Sequence, residues 1–149
     1  MTATGHAIIG TVIAAKVGNP ALAIPIAFAS HFLADALPHW DTGTNRRKKS
    51  MERFFMESFV DVVLGFVLAW MIITWLFPST NLLYAFMIII VSESPDWLTA
   101  PYLFFKLNVQ PFLSIYRLQK KFDTELDLPW GVINQAAVLI ALVFIAKIF

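Results

Sequence analysis

The sequence predicts an all-α, polytopic membrane bundle of about five helices plus one amphipathic helix lying at the membrane interface. Three observations predict it. Hydrophobic residues make up 58% of the chain against 14% charged, with a mean hydropathy of +0.70, well above the apolar share of a typical soluble domain. Two stretches, Glu57 to Phe77 and Trp130 to Phe149, reach the roughly 20 residues that a bilayer's hydrocarbon core demands. The apolar runs are also apolar on nearly every side, the pattern of helices surrounded by lipid or by other helices.

The first apolar stretch, Gly5 to Gly18, has 14 residues. At ~1.5 Å per residue it covers about 21 Å of a ~30 Å core. Three readings follow: burial by neighbours, a thinned bilayer, or a helix longer than its apolar run. Gly18-Asn19-Pro20 is turn chemistry, so the second stretch, Pro20 to Pro38, returns antiparallel to the first. Glu57 to Phe77 is a full span, and Pro78-Ser79-Thr80-Asn81 turns it into the fourth stretch, Asn81 to Ser94, which also has 14 residues and is open to the same three readings. Stretches one and two, and three and four, are expected to pair as hairpins. Trp130 to Phe149 is the fifth span. In the connection before it, Ile115, Leu118 and Phe122 recur at helical spacing while Arg117, Lys120 and Lys121 form a basic face. That pattern predicts the amphipathic helix, started or kinked by Pro111 and touching anionic head groups.

The whole chain, residues 1–149, reads as one domain, because no linker or repeat divides it. Nine of the eleven basic residues lie in the two long connections, Thr42 to Met56 and Trp97 to Pro129. With five spans these connections share one side, which the positive-inside rule places in the cytoplasm of a cell with the protein in its inner or plasma membrane. The run after Met1 to His6 has no clear cleavage site, so a removable signal peptide is not expected. A net charge of +1, with no basic recognition helix, excludes nucleic acid as a partner; membrane lipids are the partner this composition implies. Cysteine is absent, which excludes disulfides and thiolate metal sites.

The densest polar signal runs from His31 to Asp41 and reads HxxxDxxPHxD. His31 and Asp35, four apart, point the same way on a helix. Pro38 ends that helix and leaves His39 and Asp41 free to fold back from the following turn. Glu57 and Asp61, again four apart, open the third stretch; Glu93 and Asp96 flank Pro95 at the end of the fourth, and His6 opens the first. All fall toward the same side of the membrane, a convergence not built into a topology set from Lys and Arg alone. Ionisable groups at membrane depth are costly and favour function. The expected metal ligands are His6, His31, Asp35, His39, Asp41, Asp61 and Asp96, with Glu57 and Asp61 as catalytic carboxylates and Glu57 as proton acceptor. Imidazole plus carboxylate without thiolate suits zinc, with manganese or iron as alternatives, as one or two divalent ions. Such a centre at head-group level fits hydrolysis of a lipid-phosphate ester, with Arg46, Arg47, Lys48 and Lys49 placed to attract phosphate.

At these residues the chain resembles the YdjM-like family of predicted membrane-bound metal-dependent hydrolases. The resemblance rests on Thr4-Gly5-His6 opening a helix and on the His31 to Asp41 segment, and covers mainly the first third of the chain. That family in turn looks like a membrane relative of the zinc-dependent phospholipase C and P1-nuclease group. Carried over, the resemblance implies His31, Asp35, His39 and His6 as ligands. The His-Arg-x-x-Thr-His-Ser stretch that YdjM-like proteins often carry is absent here. Two other classes compete: a cation- or proton-coupled transporter, and a scaffold whose metal only ties helices together. The uninterrupted apolar run from Gly65 to Phe77 speaks against a polar path across the bilayer.

Overall fold

A computed structural model describes residues 1–149 and contains six α-helices and no β-sheet: α1 Ala3–Lys16, α2 Pro20–Asp35, α3 Met51–Leu76, α4 Leu82–Phe105, α5 Phe112–Phe122 and α6 Trp130–Ile148. The all-α expectation holds, and α3, α4 and α6 are each long and apolar enough to cross a membrane. Trp70, Trp75, Leu83, Ile140 and Phe144 point outward from these three helices and are more than half exposed, the surface hydrocarbon would cover.

Each of the first four helices starts on a side chain that accepts from an otherwise unsatisfied first-turn N–H. Thr2 accepts from Gly5 at 3.1 Å, Asn19 from Ala21 at 3.0 Å, Ser50 from Arg53 at 3.2 Å and Asn81 from Tyr84 at 2.9 Å. Asn19 and Asn81 are the turn residues the sequence marks. Ser50 is hidden in the basic connection, so α3 begins at Met51 rather than at Glu57. The fourth helix corrects a larger boundary: it passes through Pro95 and Pro101 to Phe105 instead of ending near Ser94. Pro95 cannot donate to the carbonyl of Val91; the Ser94 hydroxyl donates to it instead, at 2.7 Å.

α1 remains 14 residues long, and burial by neighbours is the reading that holds for it. Nine of its residues are buried, against α2, α3, α4 and α6. Small residues permit the close approach. A Cβ on Gly10 would lie 3.0 Å from Ile89 Cα, and one on Gly65 would lie 3.1 Å from Thr4 Cα. The hairpin of α1 with α2 forms as expected. α3 and α4 do not pair closely along their length: α1 is the main neighbour of each, and they touch through Phe66 against Phe86 and Trp97, with ring centroids 5.4 and 6.3 Å apart, and through Phe104 against Phe54 and Phe55, at 4.9 and 5.5 Å. Their turn fixes antiparallel direction, whereas the small face of α1 decides which helices pack.

Alternating directions gather the starts of α1, α3 and α6, the end of α2 and the middle of α4 at one end of the bundle. At the opposite end Lys16 and Lys147 flank the Phe77 ring, 5.6 and 5.9 Å from its centroid. α5 lies across the first end. Tyr116 packs on Tyr102 with centroids 4.5 Å apart and Phe122 on Phe32 at 5.8 Å, so its apolar face rests in part on the protein, while Leu118 and Phe122 stay more than a third exposed. Pro111 directly precedes it, as expected.

Candidate metal centre

The histidines and carboxylates singled out above meet under α5, in two adjoining groups rather than one volume. His6, His31 and Asp96 present ligand atoms within 4.8 Å of one another, and so do His39, Asp41 and Asp123. Asp35 completes the first group: Oδ1 is 3.2 Å from His6 Nε2, and Oδ2 is 3.4 Å from His31 Nε2. The Met1 nitrogen hydrogen-bonds both Asp35 Oδ1 and His39 Nε2, which places Asp35 at the seam between the groups.

Local structure explains the separation. α2 holds His31 and Asp35 one turn apart on one face, then stops at Asp35 before Pro38. The chain beyond pairs with a strap that follows α5. Thr124 N–H donates to Asp35 O at 2.9 Å, His39 N–H to Thr124 O at 3.1 Å, and Leu126 N–H to His39 O at 2.6 Å. This strap carries Asp123 to His39, so the second group is assembled from two loops and the first from three helices.

Three features test whether these residues fit a divalent ion. Tetrahedral ligands roughly 2.0–2.1 Å from zinc stand about 3.3 Å from each other. The contacts of His31 Nε2 to Asp96 Oδ1 at 3.4 Å and of His39 Nε2 to Asp123 Oδ1 at 3.5 Å, with the Asp35 contacts above, lie close to that separation, while His39 to Asp41 is looser at 3.8 Å. The tautomers also suit. His31 Nδ1 is 2.8 Å from Ser92 O, and His39 Nδ1 is 2.8 Å from Leu37 O. A carbonyl can only accept, so each Nδ1 donates and each Nε2 lone pair faces inward, the arrangement that orients metal-binding histidines. Finally, His6 Nε2 and Asp123 Oδ1 are buried with no hydrogen-bond partner, a costly condition that an ion would relieve. The residues fit.

Charge in the loop-built group agrees. Burial pushes the Asp41 carboxyl upward, but in the ion-free state a protonated His39 ring, the N-terminal ammonium and the Thr44 hydroxyl outweigh it and hold it down at about 2. It therefore stays ionised at any physiological pH. Burial raises Asp123, and its ion pair with Lys120 offsets this only in part.

Two predicted site residues stand elsewhere. Glu57 is not in the wall of the adjoining cavity. Lys49 and Arg53 hold its two oxygens at 2.7 Å each, as expected of a carboxylate at the hydrated start of a helix beside basic residues. This arrangement does not support Glu57 as proton acceptor. Asp61 does line the cavity but belongs to neither donor group. It accepts from Ala3 N at 2.7 Å, Thr4 N at 3.1 Å and Thr4 Oγ1 at 2.7 Å; with Thr2 it caps the start of α1 and so positions His6 from a neighbouring helix. Asp61→Ala should cost about 1–3 kcal/mol of stability and weaken ion binding through His6 while leaving the His39 group intact. Thermal unfolding and metal titration of the variant measure both. Glu93 is buried with no partner for either oxygen and joins neither group.

Two site residues escaped the sequence reading. Gln119 Nε2 is 2.9 Å from His31 Nε2 and 2.7 Å from Asp96 Oδ1, an N–H donor where a cation would otherwise satisfy both. Its signal was legible, since Ile115, Gln119 and Phe122 share a helix face and Gln119 is the polar member of an apolar stripe. Asp123 carried no such signal, because only the strap's pairing with residues 35–39 brings it in.

Comparison with protein-family models, curated proteins and solved structures gives no match. The functional reading therefore rests on this geometry.

Proposed function

We propose that this protein is a membrane-embedded metal-dependent hydrolase acting on the phosphoester of a lipid or other amphiphile at the cytoplasmic face. The observation that carries the reading is the His39, Asp41 and Asp123 group, whose two carboxylates line a cavity of about 290 Å³. Three protein donors leave a coordination position open, the arrangement of catalytic rather than structural zinc sites. His6, His31, Asp35 and Asp96 offer four donors, which suits a second ion, and Asp35 and Asp96 line the same cavity. A bound divalent ion would supply Lewis acidity and activate water for attack at phosphorus. The chain's own part is to orient Nε2 of His31 and His39 through Ser92 O and Leu37 O, to set Asp35 against His6 and His31, and to roof the site with α5. Lys120, paired with Asp123 and Glu125, brings positive charge to the wall where a phosphate would approach.

Three spans with nine basic residues toward the site's end, and only Lys16 and Lys147 toward the other, support a multi-pass inner- or plasma-membrane protein with this site in the cytoplasm. The YdjM-like resemblance, carried by His6 and the His31 to Asp41 segment, agrees with the same reading. The four-donor group alone, which ties α1, α2 and α4 together, would also serve a scaffold.

Turnover separates the two. Protein purified in detergent is expected to release phosphate from phospholipid or polyprenyl phosphate esters, to lose that activity to a chelator and to regain it with zinc or manganese. Fully metal-loaded protein that turns over none of these esters would leave the scaffold reading in place.

A further inference from the structure

The cavity beside the donor groups is lined by two chemistries. Asp35, Asp41, Asp96 and Asp123 belong to the centre, and the opposite character comes from Phe54, Phe55, Phe59, Leu103 and Phe104 at the start of α3 and the end of α4. Arg46 also lines it. Its guanidinium lies 4.4 Å from the Phe54 ring centroid and donates to Lys49 O at 3.1 Å. The other cations nearby are committed, Lys120 to Asp123 and Glu125 and Lys49 to Glu57. Arg46 has no carboxylate partner. A fixed arginine free of anions at the wall of a partly apolar cavity is suited to an anionic group carrying an apolar chain.

Size and access narrow the ligand further. About 290 Å³ lies at the lower edge of the roughly 300–1,000 Å³ of ligand pockets, too little for a whole two-chain lipid. Phe55 and Phe59 line the cavity yet are 51% and 56% exposed on the outside of α3. The aromatic wall is therefore continuous with the lipid-facing surface, and Phe104 of α4 closes it against Phe54 and Phe55 of α3, with ring centroids 4.9 and 5.5 Å apart. We propose that the cavity binds an anionic single-chain amphiphile, its phosphate on Arg46 and the first part of its chain against Phe55, Phe59 and Leu103, with the rest of the chain passing into the bilayer. That this ligand is the substrate rests on the hydrolase reading; that the cavity binds it does not.

The test titrates the full-length protein in nanodiscs, metal-loaded and chelator-treated, with octyl phosphate, methyl phosphate, inorganic phosphate and octyltrimethylammonium, followed by calorimetry. Octyl phosphate is expected to bind about tenfold more tightly than any of the other three. Arg46→Gln should weaken it about tenfold with bound metal unchanged, and Arg46→Lys should restore part of the loss. Ala100→Phe, which fills the apolar part of the cavity, should abolish the advantage of octyl over methyl phosphate. Equal affinity for octyl, methyl and inorganic phosphate would reveal a free-phosphate site and overturn the proposal. Unchanged affinity in a folded, metal-loaded Arg46→Gln variant would overturn it as well. Binding by protein that never turns over would sink the hydrolase reading alone, and turnover of soluble esters without chain preference would sink this one alone.

Discussion

Asp35→Ala will strip metal from the helix-built group of His6, His31 and Asp96, whereas wild-type protein will carry up to two ions per chain. Asp35 is buried at the seam: one oxygen faces His6, the other faces His31, and the Met1 nitrogen links it to His39. Its backbone carbonyl receives the strap through Thr124 N–H, a bond that alanine keeps, so the loop-built group should hold its ion. Removing a group that merely orients a metal ligand costs roughly 10–100-fold in affinity, so losing a carboxylate that faces two of the histidine donors should cost that group more than about a hundredfold. Asp35→Asn keeps the shape and loses the charge, and should fail nearly as badly. Exposed Asp127, which pairs with Asn45, provides the control, and Asp127→Asn should keep full metal. Elemental mass spectrometry on the purified variants reads the result. Wild-type metal content in Asp35→Ala would show that this carboxylate is not a ligand of the helix-built group.

Gly131→Ala is expected to disable the two groups unequally. A Cβ at Gly131 would lie 2.1 Å from Leu126 O and 2.7 Å from Trp40 N, and both are backbone atoms with no side-chain freedom to yield. The strap and the chain after His39 must therefore shift, at an overpacking cost of about 1–3 kcal/mol or more. Those two segments hold Asp123 and His39. The helix-borne ligands His6, His31 and Asp96 lie on α1, α2 and α4, which do not depend on Gly131. The variant should fold, retain the ion of the first group and lose that of the second, together with any hydrolytic activity. Two retained ions, or loss of both, would contradict the division into a helix-built and a loop-built group.

These expectations mark where sequence reading stops. His31 with Asp35 was legible because helical periodicity alone puts residues four apart on one face. Asp96 and His6 were legible as costly polar residues in apolar runs, and the direction of each helix brought them to one end. Glu57 had the same spacing to Asp61 as His31 to Asp35, yet Lys49 and Arg53 claim it. Spacing along one helix shows which residues are neighbours, but not which neighbour from another segment has the stronger hold. Asp61 shows the same limit, since its partners Ala3 and Thr4 are nearly sixty residues away.

The amino-acid sequence by itself determined the all-helical class, the apolar stretches, the turns at Asn19 and Asn81 and the side to which the charges gather. Each follows from local chemistry: hydrophobic length, caps, turn residues and the cost of charge in lipid. Only the tertiary structure decided that α1 is the buried axis, that α4 continues through Pro95, that the donors divide into two groups about Asp35, and that Gln119 and Asp123 complete them. Those outcomes depend on close backbone approaches at Gly10, Gly65 and Gly131 and on hydrogen bonds between distant segments. Neither leaves a periodic trace in the chain.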